Sequence, residues 1–149
     1  MYNIIVMFQG FLLLALFIAA SVIDIRKREI PDSINVLIAL AGFLTFSFAN
    51  LAGILIALPF LVTAVLCKGR LGGGDIKFMA AAGFVLGFEF AVIASIIGLT
   101  ASLIYCGIVY IFRRKSERER NMAFPLAPFL STGCMAAYII SQIGGLIII

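Results

Sequence analysis

Long apolar runs separated by short polar or charged segments make up most of the 149-residue sequence. The first run, Ile4 to Ile23, follows no basic residue and reaches the length of about 20 apolar residues that a bilayer crossing requires. Because it lacks a clear small-residue cleavage site, we interpret it as a retained helix and not a signal peptide. The whole pattern predicts six helices, at residues 3–25, 33–49, 51–67, 76–88, 90–112 and 122–146.

Composition indicates where these helices reside. Hydrophobic residues form 64% of the chain and charged residues 12%, and the mean hydropathy is +1.21. This is more apolar surface than a soluble domain can bury. We therefore predict an all-α integral membrane protein with six transmembrane helices in a single polytopic domain, residues 1–149, in contact with membrane lipid. The fourth predicted span, from Ile76, is the shortest.

The basic residues predict the orientation of the chain. Since Lys and Arg favour cytoplasmic loops, all three basic clusters are expected on that side of the cytoplasmic membrane, with both termini outside and outer turns near Asn50 and Glu89. The clusters comprise Arg26, Lys27 and Arg28; Lys68, Arg70 and Lys77; and Arg113, Arg114, Lys115, Arg118 and Arg120.

Several functional classes are disfavoured. The net charge of +4 is explained by this topology, and no basic-aromatic pattern accompanies it, so we predict no nucleic-acid partner. The chain has no histidine, and its three cysteines, Cys67, Cys106 and Cys134, lie far apart in or beside apolar runs. Neither a metal site, nor a disulfide framework, nor another cofactor is therefore expected.

Two acidic residues differ from the others in their context. Asp24 ends the first apolar run beside a basic cluster, and Asp75 follows Gly72, Gly73 and Gly74 at the start of the fourth helix. The predicted topology brings both acids to the cytoplasmic surface, and an acid at membrane depth is a functional candidate because it is costly there. Glycine permits unusual dihedrals and close backbone approach, as a site that holds an extended peptide requires.

Paired carboxyl groups are the hydrolytic machinery that this sequence offers. One takes a proton from the attacking water while the other donates a proton to the scissile carbonyl. A helix N-terminus stabilises negative charge and a C-terminus disfavours it. Asp75 begins a helix and Asp24 lies near the end of one, so we predict Asp75 as the ionised partner and Asp24 as the proton carrier.

Other residues near the pair have two readings each. In the functional interpretation, Lys77 either changes the pKa of Asp75 or binds an acidic group of the substrate. In the other interpretation, its charge serves only to set the membrane topology. The same alternatives hold for Arg26. Pro31 is expected to end the first helix near Ile30, with Asp32 or Ser33 capping the second.

Small residues of the later helices favour close packing in lipid: Gly83, Gly87, Gly98 and Gly107.

Three segments together resemble the signatures of the type IV prepilin peptidases and their archaeal preflagellin relatives. They are Ser21 to Asp32 (SVIDIRKREIPD), Gly72 to Lys77 (GGGDIK) and Phe124 to Phe129 (FPLAPF). The resemblance implies that Asp24 and Asp75 are catalytic. It also implies a prepilin or pseudopilin substrate, with a basic leader in the cytoplasm and a hydrophobic helix in the membrane.

The chain resembles the short members of that family, such as those of tight-adherence (Flp) pilus systems. Only Met1 to Asn3 precede the first predicted helix. The cysteine-containing cytosolic region of longer bacterial members is expected to be absent, and N-methyltransferase activity is therefore disfavoured. Two alternatives remain: a presenilin-like GxGD protease that cuts within transmembrane helices, and a membrane transport subunit without enzymatic activity.

Overall fold

The computed structural model describes residues 2–66, 72–112 and 125–147, and it contains no strand within those ranges. Six α-helices are present. Their bounds are α1 Tyr2–Lys27, α2 Asp32–Gly42, α3 Ala57–Leu66, α4 Gly73–Leu86, α5 Phe88–Phe112 and α6 Ala127–Ile147. Lys68, Arg70, the basic residues from Arg113 to Arg120, and Phe124 lie outside the described residues.

The all-helical prediction is confirmed, whereas six membrane spans are not established. Two helical segments are long and apolar enough to cross a bilayer, Ile4–Lys27 and Phe88–Val109. Three others are apolar but shorter: Asp32–Thr45, Asn50–Leu66 and Ala127–Ile143. With 14 residues, α4 is about 21 Å long, which is less than the roughly 30 Å of a typical hydrocarbon core.

The first outer turn and the start of the third predicted helix differ from expectation. The turn lies at Phe46 and Ser47 and not near Asn50, because a 3₁₀ helix, Phe48–Ile56, already begins there and continues into α3. A second, shorter 3₁₀ segment, Phe43–Thr45, extends α2. Nine residues is long for a 3₁₀ helix, whose eclipsed side chains usually limit it to three or four residues.

A buried stripe of α1 carries Asp24 into the bundle. Gln9, Leu13, Phe17, Ala20 and Asp24 are all buried, and their spacing of three or four residues places them on one helical face. At the other end of this stripe, the amide nitrogen of Gln9 donates hydrogen bonds to the Ala41 carbonyl and the Thr45 hydroxyl, both at 2.9 Å. The stripe therefore fixes the rotation of α1 about its axis and, with it, the direction of Asp24.

Glycines at two helix crossings allow backbones to touch. A Cβ atom at Gly53 would overlap the carbonyl oxygen of Gly83, so the long 3₁₀ helix and α4 cross in direct contact. A Cβ at Gly98 would lie 2.9 Å from the carbonyl oxygen of Phe129, where α5 crosses α6. The predicted packing role is thus confirmed for Gly83 and Gly98.

Of the other two glycines, Gly87 also lies at the first crossing, since its carbonyl carbon is 3.0 Å from a Cβ position at Gly53, whereas the predicted packing role is wrong for Gly107. Gly107 has no atom within 4 Å of a Cβ position. Gly87 ends α4 with a positive φ of 78°, a conformation that side chains rarely adopt. The second outer turn therefore lies at Gly87, while Glu89 is exposed within the first turn of α5.

Candidate active site

Asp24 lies in the last turn of α1 and is only 6% exposed. One of its carboxylate oxygens, Oδ2, accepts a hydrogen bond of 3.0 Å from the backbone N–H of Ala127, the first residue of α6. The helix ends soon afterwards, because Arg28 adopts a left-handed conformation with φ of 57°. This turn is earlier than the predicted end near Ile30, and it leaves Asp24 facing the bundle while the neighbouring basic side chains are exposed.

Asp75 lies in the first turn of α4 and is half-buried. Its Oδ1 atom is buried and has no hydrogen-bond partner among the described residues. Asp75 precedes the predicted fourth span, 76–88. Burial raises the pKa of Asp75 from its ordinary 3.8 to about 6, the negative charge of Asp24 raises it further in that direction, and a backbone hydrogen bond at Gly72 partly opposes both effects.

The two acids therefore interact electrostatically, and the surroundings of Asp75 disfavour the ionised form that was predicted for it. The structure places Asp24 at the N-terminus of α6 as well as near the end of α1, and the α6 end stabilises negative charge. Asp75 instead experiences desolvation and repulsion, both of which favour its protonated form.

The three glycines before Asp75 have three different environments. A Cβ at Gly74 would lie 3.1 Å from the backbone nitrogen and the Cβ of Ile30, so Gly74 lets the α1–α2 connection pack against α4. A Cβ at Gly72 would lie 3.4 Å from Oδ2 of Asp75, and one at Gly73 would meet no atom within 4 Å. Among the described residues, only Gly73 of these three glycines thus has open space at its Cβ position.

Lys77 contacts neither acid of the pair in the structure. Its Nζ atom lies 2.8 Å from both carboxylate oxygens of Asp32, in an exposed ion pair that joins α2 to α4. The predicted capping role of Asp32 or Ser33 is wrong, because Pro31 occupies the N-cap position and no side chain caps α2. Arg26 is exposed at the end of α1.

A groove of about 600 Å³ lies beside the site but does not contain the acids. Its walls come from α2, the long 3₁₀ helix and α4, and include Asn35, Phe43, Leu51, Lys77 and Phe84. At 100° per residue, Lys77 and Phe84 project from the side of α4 opposite to Asp75. The groove is therefore distinct from the space around the acid pair.

The residue that sequence reasoning missed is Ala127, because its contribution comes from the backbone. No side-chain chemistry marks it. The available signal was the segment Phe124 to Phe129, in which Pro125 and Pro128 flank the start of a helix. That segment follows Asp24 by about 100 residues, so only tertiary structure brings the two together.

Comparisons with known proteins agree with the resemblance. A model of the type IV leader peptidase family matches residues 11–112. The chain is also 30% identical over 143 residues to a prepilin leader peptidase/N-methyltransferase of Bacillus subtilis (strain 168), an alignment that covers 89% of this chain and 56% of that protein. This chain thus spans a little over half the length of that relative. No solved structure matches. The family match covers Asp24, Asp75, all of α4 and α1 from Phe11 onward, and this chain belongs to the type IV leader peptidase family.

Proposed function

We propose that this protein is an aspartic endopeptidase that removes the N-terminal leader of type IV prepilins, pseudopilins or Flp-type pilins. The observation that carries the proposal is the pair of buried or half-buried acids, Asp24 and Asp75, which interact electrostatically within a chain of the leader peptidase family. A prepilin peptidase named among its relatives supports the substrate class.

The environments of the two acids divide the catalytic steps between them. Asp24, which accepts a hydrogen bond from the amide of Ala127, takes a proton from the attacking water. Asp75, whose protonated form is favoured by burial and by the nearby charge, donates its proton to the oxygen of the scissile carbonyl. Asp24 then gives the proton that it took from water to the leaving amine nitrogen, while Asp75 takes back a proton from a hydroxyl group of the tetrahedral intermediate. The carbon–nitrogen bond breaks, and both aspartates return to their starting protonation states.

The proposed place of cleavage is the cytoplasmic face of the membrane. Asp24 lies two residues before the basic cluster that begins at Arg26, and that cluster is expected in the cytoplasm. A leader with a basic cytoplasmic segment and a following hydrophobic helix would present its scissile bond at this level. The position of both acids at helix ends favours this reading over a presenilin-like cut within a helix, and over an ion-transport subunit with acids near the midplane.

Co-expression with a candidate prepilin tests the proposal. We expect Asp24→Asn and Asp75→Asn each to lower cleavage by at least about a thousandfold, since each removes a proton-transfer group worth roughly 10²–10⁴ in rate. The helical content of both variants should remain close to that of the native protein, and Asp75→Asn should not lower the thermal stability. Asp32→Asn, an exposed acid of the adjacent helix, is the matched control and should retain activity.

Mass spectrometry of the product distinguishes peptidase activity from methyl transfer. We expect a shortened pilin with an unmodified N-terminus, even with S-adenosylmethionine present. Appreciable cleavage by either Asp→Asn variant, or no cleavage of any pilin-like protein from the same genome, would contradict the proposed function.

A further inference from the structure

The first turn of α6 has one backbone N–H that its own helix does not use. The N–H groups of Phe129 and Leu130 both donate to the Leu126 carbonyl at 3.1 Å, and Pro128 has no N–H. The remaining first-turn donor belongs to Ala127, and it is directed at Oδ2 of Asp24. The start of α6 therefore presents a single donor to this carboxylate.

A hydrogen bond in this place acts on the charged form of the acid. Asp24 is 6% exposed, so water supplies little of its solvation, and a donor at 3.0 Å replaces part of that water. The positive end of the α6 dipole acts in the same direction. Ala127 itself is fully buried, which keeps the donor in place.

We propose that the backbone amide of Ala127 is a positioning group for catalysis, which holds Asp24 as the ionised base of the pair. The inference rests on the proposed peptidase function and deepens it. Its simplest rival is that Asp24 merely caps α6 and stabilises the bundle. If Asp24 served only as a cap, its ionisation would not enter the rate of cleavage, so removing the bond would change stability and leave the pH profile of cleavage unmoved.

The charged surroundings of Asp24 are few enough for a clear test. Asp75 of α4 acts on it electrostatically, Asp32 of α2 is paired with Lys77, and the basic residues after Asp24 on α1 are exposed. On α6, no ionisable side chain precedes Cys134, and Tyr138 lies further along the helix. Removing the Ala127 N–H therefore changes the hydrogen bonding of Asp24 without altering another charged group.

Replacing Ala127 by lactic acid through nonsense suppression tests the proposal. The change exchanges the N–H for an ester oxygen and keeps the side-chain methyl group. We expect the acidic limb of the kcat/KM profile for prepilin cleavage to move upward by about one to two pH units, because a hydrogen bond to a charged group is lost. At pH values below the limb, kcat/KM of the variant should be about tenfold lower than that of the native protein for each pH unit by which the limb moves. The maximum value of kcat/KM should change less than about threefold. Lactic acid at Ala57, where the N–H bonds only to backbone carbonyls, is the matched control and should leave the profile unchanged.

Each outcome decides the proposal. An unmoved acidic limb in an active variant overturns the role of the amide, whereas an inactive native protein would overturn the proposed function instead. If the variant is folded but inactive, infrared titration of the carboxyl band that disappears with Asp24→Asn reports the same quantity: ionisation at higher pH supports the proposal, and unchanged ionisation overturns it. If the variant does not fold, Ala127→Pro deletes the same N–H with a residue that first helical positions favour, and is read in the same way. Loss of folding in both variants assigns the bond to bundle stability and also overturns the proposal.

Discussion

Asp75 is a carboxyl group that the fold keeps in an unfavourable environment for charge. Its pKa in the folded protein is about 6, against 3.8 ordinarily, so between these values the folded state binds more protons than the unfolded state. The free energy of unfolding therefore falls as pH rises through this window, and the destabilisation caused by ionised Asp75 is fully present above pH 6.

We accordingly expect Asp75→Asn to stabilise the protein at pH 8. The predicted increase in the free energy of unfolding is roughly 1–3 kcal/mol. The upper value corresponds to the full pKa shift, and the lower values apply because the side chain is only half-buried. Thermal unfolding in detergent at pH 8 and pH 4 measures it, and the gain should shrink towards pH 4. Asp32→Asn serves as the control, since that exposed acid is already paired with Lys77 and should gain nothing. A pH-independent effect of Asp75→Asn would contradict the assigned cause.

Gly74 and Gly73 offer a matched pair of substitutions beside the same acid. Gly74→Ala places a Cβ 3.1 Å from the backbone of Ile30, so α4 and the α1–α2 connection must separate by a few tenths of an ångström. Because Asp75 follows directly, we expect kcat/KM for prepilin cleavage to fall roughly tenfold or more. Gly73→Ala meets no atom in the free protein and should leave thermal stability within about 0.5 kcal/mol. Equal activity of Gly74→Ala and the native protein would show that this contact does not position Asp75.

At this scale the sequence identified both acids but not their roles. Charge patterning brought Asp24 and Asp75 to one predicted surface, and their motifs agreed. The predicted ionisation order considered only the helix to which each acid belongs. The environments in the structure oppose that order, because a donor to Asp24 comes from α6, 103 residues later in the chain, and because Asp75 is desolvated by neighbours that local sequence does not specify.

Among the elements, the crossing of α4 with the long 3₁₀ helix has the closest approach. Gly53→Ala or Gly83→Ala would force a Cβ into the opposing carbonyl group, and we expect each to destabilise the protein by about 1–3 kcal/mol or more. Gly107→Ala is the matched control, because open space surrounds it within α5 and alanine favours a helix by about 1 kcal/mol. Thermal unfolding in detergent should therefore lower the Tm of the first two variants and maintain or raise that of the third. Similar shifts in all three would contradict the backbone contact.

The number and order of helices could be predicted from apolar runs, because each run is bounded by polar residues or glycine. The 3₁₀ conformation of Phe48–Ile56 could not. Apart from Asn50, this segment is apolar or small throughout, so it has no polar–apolar periodicity from which a helix type follows. Its conformation depends on the contact between Gly53 and Gly83, which joins segments 30 residues apart.

For the whole molecule, the basic clusters predict which end of the bundle faces the cytoplasm. Glu29 lies next to the first cluster and Glu89 lies at the opposite end of α4 from Asp75, and both are exposed. In a protein whose three cysteines are replaced by serine, a membrane-impermeant maleimide applied to intact cells should label Glu89→Cys and not Glu29→Cys. Inverted membrane vesicles should give the reverse pattern. Labelling of both from the same side would contradict the predicted orientation.

The hydrogen bond between α1 and α6 also has a consequence for biosynthesis. Asp24 belongs to α1, whereas its amide donor belongs to α6, which the ribosome delivers 103 residues later. Until α6 packs against α1, Asp24 lacks this hydrogen bond, even though α1 and α4 have both been synthesised. If the amide supports catalysis as proposed, we expect a nascent chain to stay inactive beside newly made substrates until α6 is in place.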